Sequence, residues 1–271
     1  MTAPISAIVI SKDRLDHLQA TLPSLMSQAF AEVVLVDYDC PAGSGEWAAA
    51  AFPGVRVVKV TGEPLFNAAR ARNLGARFAT APWLFFVDAD VRVSPQFVAA
   101  TSPALTPGTF VTADPCPAEL CGTVLIHRND FQAVGGYDEV FQGWGYEDID
   151  LLDRLKVMGV RETSYDGDLA EPLKHEDDLR TRHHEIRSKL YNGTINRVYR
   201  AAKRDMAKLG KSLDEPARRR IYDQVRAGFT NGQTPNNVAF VFDEDELFGL
   251  TMTVSLNYRF SVTPPPDPEA P

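Results

Sequence analysis

The stretch Trp83-Leu84-Phe85-Phe86-Val87-Asp88-Ala89-Asp90 decides how the rest of the chain is read. Its five apolar residues run without the alternation of a half-exposed strand. That is the pattern of a strand covered on both faces of a parallel sheet. Ile5–Ser11, Glu32–Asp37 and Val55–Val60 have a similar strand character. Helical segments separate them: Leu15, Leu18, Leu22 and Leu25 mark the first, Ser44 to Ala51 the second, and Phe66 to Thr80 the third. Alternating strands and helices predict right-handed crossovers and an α/β fold with a mainly parallel sheet. Ligands in such sheets settle at the carboxyl ends of strands. Ser11, Asp37 and Asp88 all fall there.

Local signals refine this outline. Pro23 predicts a kink or a restart in the first helix, Ser44 a cap on the second, and Ser94-Pro95 the start of another. Thr123 to Arg128 reads as a further strand. A helix is expected from Tyr146 to Met158, closed by Gly159. Beyond Arg180, Ile195, Val198, Tyr199, Ala202, Met206 and Leu209 mark an amphipathic helix, and a shorter basic helix follows Asp214. Leu250 to Phe260 alternates as a strand and pairs with Val238 to Phe242 across an acidic turn, Asp243 to Glu246. Val262 to Pro271 reads as a mobile, proline-rich tail. The division expected is a domain over 1–180, a basic helical and hairpin extension over 181–262, and a tail over 263–271.

Bulk properties exclude several classes. The 271 residues are 44% hydrophobic and 24% charged, as in an ordinary globular protein. No apolar run approaches the ~20 residues of a membrane span. The N-terminus lacks the look of a signal peptide, and three cysteines without metal spacing fit a reducing, cytoplasmic setting. Cys116 and Cys121 are read as two buried thiols in preference to a disulfide. The net charge of −8 is uneven, with 14 Lys or Arg against 5 Asp or Glu between Arg180 and Arg226. The first reading of that segment is a solvated basic face; the second is a peripheral contact with an anionic acceptor or an anionic (inner) membrane. No aromatic-interleaved basic motif points to nucleic acid.

Two acidic clusters carry the chemistry. Asp88-Ala89-Asp90 places two carboxylates at a strand end, a donor set for Mn²⁺ or Mg²⁺ that leaves positions for phosphate and water. Gly143-Trp144-Gly145-Tyr146-Glu147-Asp148-Ile149-Asp150 opens a helix with three carboxylates. Asp148 is the candidate general base for an acceptor hydroxyl. Its place at a helix N-terminus predicts the ionised form at neutral pH, with acceptor binding raising its pKa. Trp144 suits stacking on a sugar ring or a place in the core. The bland alternatives are a capped strand end and carboxylates that complement a helix dipole. His183-His184 is read as surface, and the sequon Asn192-Gly193-Thr194 as chance.

Four segments resemble the β-1,4-galactosyltransferase family, with broader similarity to family 2 and polypeptide N-acetylgalactosaminyltransferase enzymes. They are Ser11-Lys12-Asp13-Arg14-Leu15-Asp16-His17-Leu18, Phe66-Asn67-Ala68-Ala69-Arg70-Ala71-Arg72-Asn73-Leu74-Gly75, Asp88-Ala89-Asp90, and Gly135-Gly136-Tyr137 with Gly143 to Asp150. The resemblance spans about Ile5 to Arg182. It implies a GT-A (nucleotide-diphospho-sugar transferase) fold, a UDP-sugar donor, a hydroxyl acceptor such as a glycan, Mn²⁺ dependence and inversion. It assigns the metal to Asp88, Asp90 and His175, and the nucleotide to Ser11, Lys12, Arg14, Phe66, Arg72 and Asp88; Asp37 joins the nucleotide set from its place at a strand's carboxyl end. The sugars go to Trp144, Gly145 and Glu147, and the base role to Asp148. Ala68 stands where the family has arginine, so Arg70 or Arg72 is left to supply positive charge near the donor. Tyr146 stands where the family has glycine and reshapes the sugar pocket. A retaining transferase of the same fold, or a catalytically silent sugar-nucleotide binder, is the alternative.

Overall fold

A computed structural model describes residues 3–174, 178–208, 213–229, 237–247 and 250–259. The chain divides into two compact units, Met1–Arg187 and Ser188–Pro271.

In the first unit the strands β1 (Ile5–Ser11), β2 (Glu32–Tyr38), β3 (Val55–Val60) and β4 (Trp83–Asp88) alternate with the helices α1 (Leu15–Met26), α2 (Ser44–Ala51) and α3 (Ala68–Phe78). The chain continues through β5 (Val91–Val93), α4 (Phe97–Thr101), β6 (Thr109–Asp114), β7 (Val124–His127), α5 (Arg128–Ala133), α6 (Glu147–Val157), β8 (Arg161–Asp166), β9 (Ala170–Pro172) and α7 (Asp178–Thr181). Seven strands form one sheet in the order β3-β2-β1-β4-β7-β6-β8. β7 runs antiparallel to both β4 and β6, and the other pairings are parallel. β5 and β9 make a small antiparallel pair of their own.

The decisive run behaves as its composition requires. Phe85 and Val87 enter one core with Leu18, Leu22 and Leu25 of α1. Leu84 and Phe86 enter the other, with Ala69 and Ala71 of α3 and Leu151 and Leu155 of α6. Successive side chains point to opposite faces, so a strand covered twice must be apolar throughout. α3 lies close on the sheet at Gly75, where an added Cβ would stand 2.4 Å from Ile8 Cγ2.

Some local expectations fail for identifiable reasons. α1 is one helix through Pro23, which excludes the restart and leaves the kink as the remaining expectation; Leu18, Leu22 and Leu25 stay buried across it. Ser44 is the first helical residue of α2 and not its cap. Gly43, at φ +70°, precedes it, and the distant Asp37 accepts from the Gly45 N–H at 3.0 Å. Ser94-Pro95 lies outside the short α4, which starts at Phe97 with Gln96 as its flanking residue. β5, β6, β8 and β9 are additional strands; β5 and β9 have three residues each, too few for a period to register.

The second unit holds α8 (Lys189–Lys208), α9 (Glu215–Ala227) and the antiparallel hairpin β10 (Asn237–Leu247) and β11 (Leu250–Arg259). The expected stripe is buried at Ile195, Val198, Tyr199, Ala202 and Met206, and Asp214 caps α9 through the Ala217 N–H. Asp243 to Glu246 is strand and not turn: its backbone pairs with Thr251 to Val254 past a register shift at Val241/Asp243. Asn192 of the sequon is buried within α8. The tail 262–271 lies outside the described residues.

Asp37 is fully buried and also accepts from the Cys40 N–H at 3.0 Å. Asp37→Ala strands two backbone donors, so urea unfolding should show a stability loss of about 2 kcal/mol.

Candidate active site

α3 builds the site from below. Asn67 caps its N-terminus through the Arg70 N–H, while Asn67 Nδ2 donates to the carbonyls of Glu139 and Phe141. Two turns later Asn73 exchanges hydrogen bonds with the backbone of Tyr137. The loop that leads into α6 is therefore held by α3 at two points. Between them Arg72 projects into the sheet end, 3% exposed.

Arg72 meets three carboxylates. Its Nη2 donates to Asp88 Oδ1 at 2.8 Å, and its Nη1 donates to Glu147 Oε1 at 3.0 Å. Asp148 Oδ1 lies 3.1 Å from Nη1 as an ion pair without hydrogen-bond alignment. The guanidinium also sits 5.2 Å from the Tyr137 ring centroid. Burial opposes the charge of Arg72, but Asp148, Asp88 and Glu147 overcome it and hold its pKa well above the ordinary value. One cation cannot neutralise three anions. Burial pushes Asp148 up to about 8 against the pull of Arg72, with Glu147 and Asp88 adding to the rise. Burial thus works against the helix N-terminus at Asp148 and favours its neutral form, where the sequence alone pointed to the ionised one.

These groups open into a cavity of about 340 Å³. Its walls include Lys12, Arg14, Phe66, Arg72, Asp88, Asp90, Trp144, Gly145, Glu147 and Asp148, which the sequence had singled out. Ser11 and Asp37 are not among its lining residues: the Ser11 hydroxyl donates to Ser44 Oγ, and Asp37 serves α2. Lys12 Nζ is engaged by the carbonyls of Tyr38, Asp39 and Glu63. Arg14 Nη2 donates to Leu179 O, while its buried Nη1 has no hydrogen-bond partner among the described residues and lies in the field of Asp90 and Asp88. Arg70 pairs outward with Glu63, so Arg72 is the arginine of that helix that reaches the site. Tyr146 adopts φ +74°, a left-handed conformation that glycine takes without strain. That is where the family pattern has glycine.

Several lining residues escaped the sequence reading. Leu179, Arg180, His183 and His184 come from the segment around α7. Arg180 stands over the Trp144 ring at 5.9 Å, and His183 Nε2 lies 3.0 Å from Asp13 Oδ2. His184 is not at the surface: it is 7% exposed and stacks on Phe66, because the Phe66 N–H donates to His183 O and draws the segment inward. Basic and polar spacing gave no period by which to detect them. Cys116 and Cys121 are free, as expected, but Cys116 is exposed and Cys121 half-buried.

Asp88 and Asp90 offer hard oxygen donors in one cavity beside an orphaned arginine N–H, which fits a dication whose other positions go to phosphate and water. Among the described residues no group of three His, Cys, Asp or Glu forms a metal site, and His175 lies outside them.

A family model described as the N-terminal domain of galactosyltransferase matches residues 110–184. Validoxylamine A glucosyltransferase of Streptomyces hygroscopicus subsp. jinggangensis is 27% identical over 219 residues, covering 58% of this chain and 52% of that protein. Chondroitin sulfate synthase 3 of Homo sapiens is 40% identical over 40 residues, covering 15% of this chain and 4% of that protein. The chain thus spans about half the length of the glucosyltransferase and a small fraction of the synthase. The mannosyltransferase PcManGT of Pyrobaculum calidifontis, solved with GDP-Man and Mn2+, superposes with a TM-score of 0.56 at 14% identity over 86% of this chain and 77% of that one. GalNAc-T7, solved with UDP, GalNAc and Mn2+, gives 0.56 at 14% identity over 83% and 55%. The fold is therefore the GT-A glycosyltransferase fold, with a galactosyltransferase-type segment in its second half. No helix among the described residues is long and apolar enough to cross a membrane.

Burial lowers the His184 pKa to about 4. The folded chain then resists a proton that the unfolded chain accepts below about 6.5. Stability is full above that pH and is lost as pH falls from about 6.5 towards 4, by up to ~3 kcal/mol. In His184→Phe, urea midpoints recorded across this window should decline less steeply.

Proposed function

We propose that the chain transfers a hexose or N-acetylhexosamine from a UDP-sugar to a hydroxyl of a glycan acceptor, with inversion, using Mn²⁺ or Mg²⁺. The observation that carries this reading is the meeting of Asp148 and Asp88 on one guanidinium at the floor of a single cavity. The acceptor hydroxyl binds at Asp148, whose buried carboxylate is a stronger base than a solvated one. Its oxygen attacks the anomeric carbon as the carboxylate takes the proton, and the bond to the diphosphate breaks on the far side. Trp144 offers a ring face in the same cavity for a sugar, and Arg14 offers a buried donor for an anionic oxygen. Bound at Asp88 and Asp90, with His175 as a third ligand, a dication would offset the charge developing on the departing diphosphate.

The relatives support the reaction class. The matched segment is named for galactosyltransferase, the similar proteins are named glucosyl- and mannosyltransferase, and the solved neighbours carry GDP-Man or UDP with Mn2+. UDP is favoured over GDP by the resemblance of the Ser11–Leu18 and Phe66–Gly75 segments to galactosyltransferases.

Asp148→Asn should bind UDP with Mn²⁺ as the unsubstituted protein does in calorimetry, yet transfer about 10³-fold more slowly. Asp88→Ala and Asp90→Ala should weaken Mn²⁺-dependent UDP binding. The product anomer, read by NMR, should be opposite to that of the donor; the same anomer would remove the base role from Asp148.

A further inference from the structure

Arg72 contacts the carboxylates at both ends of the proposed reaction, yet its side chain is only 4% exposed. One end of the guanidinium, Nη2, faces Asp88 at the end of β4; the other, Nη1, faces Glu147 and Asp148 at the start of α6. The backbone of Gly122 closes over the same point. A Cβ there would stand 2.8 Å from Arg72 Nη2 and 3.2 Å from the Oδ2 atoms of both Asp88 and Asp148. Two carboxylates thus converge from separate elements, and a glycine leaves them room. Without the guanidinium between them, two carboxylates this close could not both stay ionised. A planar fork can hold two partners at fixed angles, which a lysine ammonium cannot.

We propose that Arg72 is a positioning residue for transfer, bracing the Asp148 carboxylate against Asp88 so that the acceptor's base keeps a fixed place relative to the donor end of the cavity. The inference rests on the transfer reading given above. It also gives a place to the positive charge that Ala68 lacks: Arg72 supplies it four residues later, beneath the carboxylates. Arg72 acts through Asp148 and need not touch substrate.

The test pairs Arg72→Lys with Asp148→Asn and the double variant, with melting curves for each. UDP affinity is measured by calorimetry in Mn²⁺, and turnover as nucleoside diphosphate released from a panel of UDP- and GDP-hexoses. Arg72→Lys should keep UDP affinity and the donor KM within about threefold and lose about 100-fold in kcat. The double variant should be no slower than Asp148→Asn alone, since the brace has nothing left to position. If Arg72→Lys fails to melt cooperatively, Gly122→Ala, which keeps the charge and displaces the fork, should give the same kcat loss with UDP binding retained. Wild-type kcat in both variants, kcat and UDP affinity falling together, or losses that multiply in the double variant would each overturn the inference. Wild-type turnover in Asp148→Asn, or none by the unsubstituted chain, would instead sink the transfer reading and this inference with it.

Discussion

One guanidinium buried beneath three carboxylates is the constraint on which the site depends. Arg72 holds Asp88, Glu147 and Asp148 within 3.1 Å of its nitrogens, in a place almost closed to solvent. Removing the arginine from such a cluster leaves uncompensated buried carboxylates, at a cost of roughly 3–5 kcal/mol. The cluster also carries more negative than positive charge. That imbalance, together with depth, makes Asp148 an unusually basic carboxylate. A feature that is poor for stability thus suits a proton acceptor.

The surrounding structure serves to keep this cluster in place. Asn67 and Asn73, six residues apart on α3, fasten the loop from Tyr137 to Phe141, and that loop delivers α6 to the end of β4. Gly75, one turn after Ala71, lets α3 settle on Ile8. Helix and loop are therefore positioned by residues on either side of Arg72 in the sequence of α3 and its cap. The far wall is made by the segment around α7, tied to the first loop by Arg14 to Leu179 O and by Asp13 to Arg182 and His183. These ties are polar and partly exposed, unlike the apolar packing under α3.

The resemblance to galactosyltransferases identified in the short motifs extends to a matched segment and to the fold of solved glycosyltransferases. Where the chain departs from the family pattern, the geometry gives a physical account. Ala68 carries no charge, and Arg72 does. Tyr146 takes the left-handed turn that glycine would take freely, at a cost of about 1–3 kcal/mol. Strain of this kind at a cavity wall is consistent with a functional demand on that backbone.

The sequence by itself determined the alternation of β1 to β4 with α1 to α3, since apolar period and run length report which faces are covered. It also determined the acidic strand end at Asp88 and the acidic helix start at Glu147, because short-range chemistry marks both. It could not show that Asp37 caps a helix, that Asp243 to Glu246 is strand, or that His184 is buried. Each depends on partners remote in the chain: Gly45, Thr251 to Val254, and Phe66. Only the tertiary structure decided that Arg72, and not Arg70, meets the carboxylates. The two arginines differ in which side of α3 they occupy relative to the sheet, and burial against distant elements, not residue type, sets a group's charge and reach.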